Sequence, residues 1–383
     1  MPSQLTEKRW RVQVVKGSES MLIRGAGRIP RMLNGMIQQR RPMKINTTAG
    51  GIFSAICVLA VSSRIAHPQV MKVTPSLVQV HMVITDQSFT DNGEVPVFGA
   101  QNVTVKQGEN AIKVDQVIPA RGDNAGLQLL LLIDDTLDLS FGSNLNDIRD
   151  FVNVQPASTG VAIAYMSNAS FRITENFTDD HVLAAKGARL PLGMLSAMDS
   201  PYLSLINLVK SWPQQKVRRE ILMISDGTDL LRGRSPAPTY PTLVHRRGSM
   251  PPQHTTMAGM SPDKDSASAI CQRYGVIVHS ICATVAGRRG PNAWEAQMGQ
   301  SGIAKIADET GGEYLCLGIS NAISFKPYLD RLQNIFNDRY YIEFQAMPRK
   351  KDGLQRVDIS TSVPDADIAS AENVWVAMKS AGI

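Results

Sequence analysis

The stretch LQLLLLIDDTLDLS, Leu127–Ser140, decides the fold. Six apolar residues in seven cannot form a strand with one wet face; such a run needs cover on both sides, as in a parallel sheet. Its apolar part ends abruptly at Asp134-Asp135. Four more runs follow downstream: Val161–Met166, Ile221–Ile224, Val276–Ile281 and, more weakly, Tyr314–Leu317. Helical stripes lie between and after them. Leu145, Ile148 and Val152 form one, and Leu205, Leu208, Val209 and Trp212 another. Ala267, Ile270, Cys271 and Tyr274 repeat the spacing, and Leu329, Leu332 and Phe336 close the series. Strands alternating with helices of this length predict right-handed βαβ units. The expected fold class is α/β: a doubly wound, mostly parallel sheet.

Upstream, Leu77–Thr85 (LVQVHMVIT) alternates in the manner of a half-buried strand, and short strands are expected at 103–106 and 111–118. Downstream, YYIEF reads as a strand closing the α/β segment and the alternating Val357–Thr361 as another antiparallel strand, and the tail is expected to join the N-terminal β unit. The flanking element is therefore a small antiparallel β unit. The expected organisation is a leader at 1–66, a β-rich segment at 67–125, an α/β domain at 126–345 and a C-terminal β extension at 346–383. Residues 231–262, rich in proline, read as a long loop.

The chain has 383 residues and a net charge of +6, but the charge is uneven. Residues 1–66 hold eleven Lys or Arg and two Asp or Glu, a net +9, and the remainder carries −3. The basic excess lies around and ahead of the uncharged run Thr48–Ser63, so it speaks for export and not for nucleic-acid binding. The run is of signal-peptide length, with Met43 as the expected start. An uncleaved anchor is the other reading; otherwise no membrane span is expected. The protein is expected to be secreted or periplasmic. Cys271, Cys282 and Cys316 remain beyond the leader. They are expected to be buried small hydrophobes, with at most one bridge among them.

In a doubly wound sheet, ligands gather at the carboxyl ends of strands. There the sequence places Asp134-Asp135-Thr136-Leu137-Asp138, Ser225-Asp226-Gly227 and, ahead of a helix, Asp199-Ser200. These are hard oxygen donors from three loops, the donor type that Mg²⁺ or Ca²⁺ takes. The bland alternative is a solvated strand-to-helix turn in which Asp and Thr merely cap. It fits Asp135 and Asp138 better than Asp134 and Asp226, which each end an apolar strand.

With LLLLIDDT, ILMISDGTD, YGVIVHSI and IADETGG on the page, the chain resembles the von Willebrand factor type A family over residues 76–345. In particular it resembles the bacterial, acidobacterial-type VWFA-related proteins. The resemblance implies a non-enzymatic binding domain that takes a protein partner at the strand-end face through a metal-ion-dependent adhesion site. It implies that Asp134, Thr136, Asp138, Ser200 and Asp226 surround a divalent cation (Mg²⁺ or Ca²⁺, or Mn²⁺ where an extra carboxylate joins). Asp138 departs from the family pattern, which has a neutral serine there. Either Asp138 binds the ion directly, or it turns to solvent and leaves the set incomplete. A metal-free scaffold is the second functional reading. A metal-assisted hydrolase is the third, lacking an evident nucleophile or base.

Overall fold

The computed structural model describes residues 77–86, 98–194, 196, 198–213, 217–231, 263–283, 293–316, 323–347, 351–364 and 366–377. The expected leader and nearly all of the expected 231–262 loop lie outside these residues. Met71–Ile383 form one compact unit.

The central sheet has six strands: β5 (Leu127–Asp134), β6 (Thr159–Ser167), β7 (Ser170–Thr178), β8 (Arg218–Ser225), β9 (Val276–Cys282) and β10 (Tyr314–Leu315). Their order is β10-β9-β8-β5-β6-β7, and every pairing is parallel except β6 with β7. Numbered within the sheet this is 3-2-1-4-5-6, the doubly wound order, with the switch point between β5 and β8. The expected fold class is found.

The apolar run of β5 is buried on both faces, as its composition demands. Leu129, Leu131 and Ile133 pack under α1 (Leu145–Asn153), α2 (His181–Lys186) and α6 (Lys326–Asn337). Leu130 and Leu132 pack under α3 (Pro201–Ser211), α4 (Asp263–Tyr274) and α5 (Ala293–Thr310). β7 was not legible as a strand: its faces are half-exposed and polar, and it forms because the hairpin turn at Asn168-Ala169 reverses the chain. Both turn residues have positive φ (52° and 53°), the geometry of a tight two-residue hairpin.

The antiparallel part is built from both ends of the compact unit. β1 (Val78–Asp86) and β4 (Val114–Pro119) flank β11 (Arg339–Ala346), and β14 (Ile368–Ser370) borders β1. β2 (Val103–Gln107) pairs with β3 (Asn110–Ile112) and β13 (Asp358–Thr361). β12 (Gly353–Arg356) pairs with β15 (Asn373–Val376). The expected return of the C-terminal strands to the N-terminal β unit is thus seen in β13 on β2 and β14 on β1. β11, inside the 126–345 segment, pairs with β1 over eight residues and belongs to this sheet, not to the parallel one.

One expectation about cysteine is corrected. Cys282 and Cys316 are joined in a disulfide, and among the described residues Cys271 is a free, buried thiol. β10 pairs with β9 in the register Tyr314↔Ser280 and Leu315↔Ile281, so Cys316 follows directly opposite Cys282. That opposition is created by tertiary pairing and leaves no local mark in the sequence.

A buried ionic cluster ties the two sheets together. Glu220 on β8 is fully buried and meets Arg218 (3.1 Å), Arg339 at the start of β11 (3.0 Å) and His279 on β9 (2.7 Å). The His279 tautomer is fixed, since its Nδ1 accepts from the Glu313 N–H and its Nε2 therefore donates to Glu220. Burial alone would raise the carboxyl of Glu220. Arg339, Arg218 and His279 outweigh that and hold it at about 2. His279 is thus the satisfied core histidine its apolar strand implied.

Glu220→Gln strips the counter-charge from two buried arginines and is expected to cost about 3–5 kcal/mol in a urea unfolding experiment. The folded carboxyl titrates below its ordinary value of 4.5. The stability it contributes is therefore complete above that pH and is lost as pH falls towards 2. The same variant should flatten the acid limb of a melting-temperature curve.

Candidate functional site

The switch point between β5 and β8 brings the chemistry together. Asp134 ends β5, and Ser225 ends β8 beside it. The Asp134 carboxylate accepts from the Thr136 hydroxyl (2.7 Å) and N–H (3.0 Å) on one oxygen, and from the Ser225 hydroxyl (2.7 Å) on the other. Asp226 accepts from the Thr228 N–H at 2.8 Å. Gly227 turns the loop with φ +74°, its N–H donating to Ser225 Oγ. A Cβ on Gly227 would run into the carbonyl of Gly299 on α5, so this backbone-on-backbone contact admits only glycine. The Tyr202 hydroxyl donates to the Gly227 carbonyl at 3.1 Å and clamps the loop from α3.

The third loop arrives through Asp199 and Ser200. Ser200 caps α3, its hydroxyl accepting from the Leu203 N–H at 3.4 Å, with Pro201 in the first turn. Asp199, whose residue type alone marks it as one more oxygen donor beside Ser200, organises the site. Its two oxygens accept from the N–H groups of Asn168 (2.6 Å) and Ser196 (2.5 Å), and its carbonyl accepts from Leu230 and Leu231. The β6–β7 hairpin tip, the α3 loop and the loop after Asp226 therefore meet at one residue.

Asp134, Thr136, Ser200 and Asp226 are all buried around the switch point. Asp138 is half-buried at the head of a short 3₁₀ turn, Leu139–Asn144. Its Oδ1 accepts from the Ser140 N–H at 2.8 Å, the role of a cap. Asp135 forms a bidentate pair with Arg189 (2.7 and 2.9 Å) and also accepts from the Leu192 N–H. Among the described residues, only position 135 of the adjacent pair has a basic partner. The choice between them was invisible in the sequence, because Arg189 lies 54 residues away.

The electrostatics of the other carboxylates differ sharply. Burial raises Asp134, partly offset by the Thr136 and Ser225 hydroxyls. Burial first, and Asp134 second, push Asp226 up to about 7, and Asp199 adds to both. Among the described residues no basic side chain offsets either group. No three His, Cys, Asp or Glu side chains among the described residues converge as a metal centre by themselves. A cation would have to draw on two carboxylates, the surrounding hydroxyls and water. That donor set is hard, anionic and short of positive charge, and it suits Mg²⁺, Ca²⁺ or Mn²⁺.

Around these groups the 189–198 loop and the 3₁₀ turn hold large apolar side chains out to solvent. Leu139 is 62% exposed, Leu192 62%, Met194 71% and Met198 55%. The loop is fastened by the bonds to Asp135 and Asp199 described above, and by the Gly193 N–H on the Asp135 carbonyl.

No family model matches the chain, and no curated protein matches it. Similar solved structures include an aerotolerance-related membrane protein from Bacteroides fragilis NCTC 9343 at 12% identity and a TM-score of 0.37, covering 55% of this chain and 99% of that one. The SpRpn10 VWA domain overlaps at 11% identity and a TM-score of 0.31, covering 54% and 94%. The human COPII-coat protein Sec24c overlaps at 8% and 0.31, covering 65% of this chain and 44% of its own. The fold itself stands on its strand order, a doubly wound sheet with one antiparallel edge strand.

Asp226 titrates above its ordinary 3.8, so the cation-free folded state holds a proton that the unfolded chain has lost. With EDTA present, the melting temperature should fall as pH rises from about 4 to 7, the opposite sign to Glu220. In Asp226→Asn that fall should shrink to the part contributed by Asp134, which burial also raises.

Proposed function

We propose that this chain is an exported, non-enzymatic binding protein. It takes a protein partner at the strand-end face through a divalent cation held by Asp134, Thr136, Ser200 and Asp226. The observation that carries this reading is the pair of buried carboxylates at the switch point with no basic side chain among the described residues to offset them, beside a neighbouring carboxylate that has one. A bound Mg²⁺, Ca²⁺ or Mn²⁺ supplies the missing positive charge and leaves a coordination position for a partner oxygen. Asp138 acts from the edge, through water, since its carboxylate already caps the following turn. The exposed Leu and Met rim supports a protein partner, because fixed apolar side chains in solvent are the material of interfaces.

Two further observations support the rest of the reading. The Thr136 and Ser225 hydroxyls both donate to Asp134, and among the described residues no histidine is bonded to either, so neither is activated as a nucleophile. A disulfide at Cys282–Cys316 belongs to an oxidising compartment, in keeping with secretion or the periplasm and with the +9 leader. Among the described residues no helix is long and apolar enough to cross a membrane. The metal-free scaffold is a second reading, favoured by one detail: both Asp134 oxygens already accept from hydroxyls.

Isothermal titration of EDTA-stripped protein with Mg²⁺, Ca²⁺ and Mn²⁺ separates the two. One saturable site is expected, weakened about a hundredfold or more (~3 kcal/mol) in Asp134→Asn and in Asp226→Asn. Asp138→Ala should shift it by less than about tenfold. No heat at millimolar ion, with partner capture unaffected by EDTA, would establish the scaffold instead.

A further inference from the structure

At the other end of β8 the chain carries a second unbalanced charge, of opposite sign. A cleft of about 770 Å³ lies between the starts of β8 and β9, the end of α4, the β1–β11 face and β15. Its size is that of a small-molecule site. Arg218, Arg219 and Arg273 line it, with His81, Glu343 and Trp375.

The basic groups are not equivalent. Arg218 is neutralised by Glu220 and donates to the Phe336 carbonyl at 3.2 Å. Arg219 is only 7% exposed and has no carboxylate within ion-pair distance among the described residues. One of its terminal nitrogens donates to the Tyr274 carbonyl, and the other, Nη1, has no hydrogen-bond partner. Burial lowers its pKa with nothing to oppose it, but a guanidinium stays charged in a protein. One residue before Tyr274, Arg273 is exposed and held over the Trp375 ring at 4.2 Å, again without a carboxylate. On the acidic side the lining holds Glu343, which accepts from Gln79 at 3.3 Å and is hydrogen-bonded to His81 at 3.0 Å, and the exposed Asp123; neither is paired with Arg219 or Arg273. Such a cleft has two arginines in search of an anion. A buried guanidinium without a counter-ion is costly to maintain, and a planar oxyanion is what its fork geometry fits.

We propose that this cleft is an oxyanion-binding site, taking a phosphate- or carboxylate-bearing small molecule between Arg219 and Arg273. It is separate from the cation site. Arg219 and Asp226 lie at opposite ends of one strand, roughly 20 Å apart at about 3.3 Å per residue.

The full chain, stripped of metal with EDTA and then dialysed free of it so that neither cation nor chelator is present, is titrated with sodium phosphate and, separately, with citrate. Sodium chloride at equal ionic strength is the control. A saturable rise in melting temperature of about 2–4 °C is expected with at least one of the two anions. Titration calorimetry should show the same midpoint. Saturation by phosphate alone assigns phosphate chemistry, by citrate alone carboxylate chemistry. Arg219→Gln should abolish the rise, and without ligand it should melt no lower than the parent, since it removes an unpaired buried charge. Arg273→Gln, on an exposed side chain, should weaken the midpoint about tenfold and carries the test should Arg219→Gln not fold. No saturable effect of either anion on the parent overturns the proposal. So does an equal effect in the parent and in both variants.

Discussion

Glu220 is the constraint around which the molecule is arranged. A carboxylate with no exposed surface can persist only with positive charge beside it, and its partners come from three separate strands. Arg218 is local, His279 comes from the neighbouring parallel strand, and Arg339 opens β11 in the antiparallel sheet. Meeting that requirement fixes where β11 starts, and β11 in turn holds β1 and β4. It also fixes β8, whose far end presents Ser225 and Asp226 to Asp134. The packing of the two sheets and the geometry at the switch point therefore share one anchor.

Three buried acidic positions show how a neighbour decides the behaviour of a carboxylate. Glu220 and Asp226 are both buried, yet one titrates far below its ordinary value and the other far above. Burial pushes both upward; the difference lies in the arginines around the first and the second carboxylate beside the other. Asp135 stands next to Asp134 in the chain and has its own arginine. Composition cannot separate these cases, since all are acids at or near the ends of apolar strands.

Much of the architecture could be read from the sequence because burial on both faces leaves an unambiguous signature. Leu127–Ile133 needs helices above and below it, and the structure supplies them. The same logic marked Asp134 and Asp226 as strand ends. What escaped reading depended on distance. β7 is polar and owes its place to a hairpin turn. Asp199 works through backbone bonds to three loops, which no residue-type pattern encodes. The Cys282–Cys316 bridge depends on the register of two parallel strands. Asp138 was open between ligand and cap in the sequence, and its carboxylate caps the turn that follows it.

That bridge also has a topological consequence. Its two ends are 34 residues apart, and the enclosed stretch holds α5, whose Gly299 backs the Asp226 loop. A single backbone cut anywhere between the half-cystines leaves the two fragments covalently joined. A molecule nicked there by a protease would keep its mass, and with it α5 tethered beside the loop, separating into two chains only on reduction.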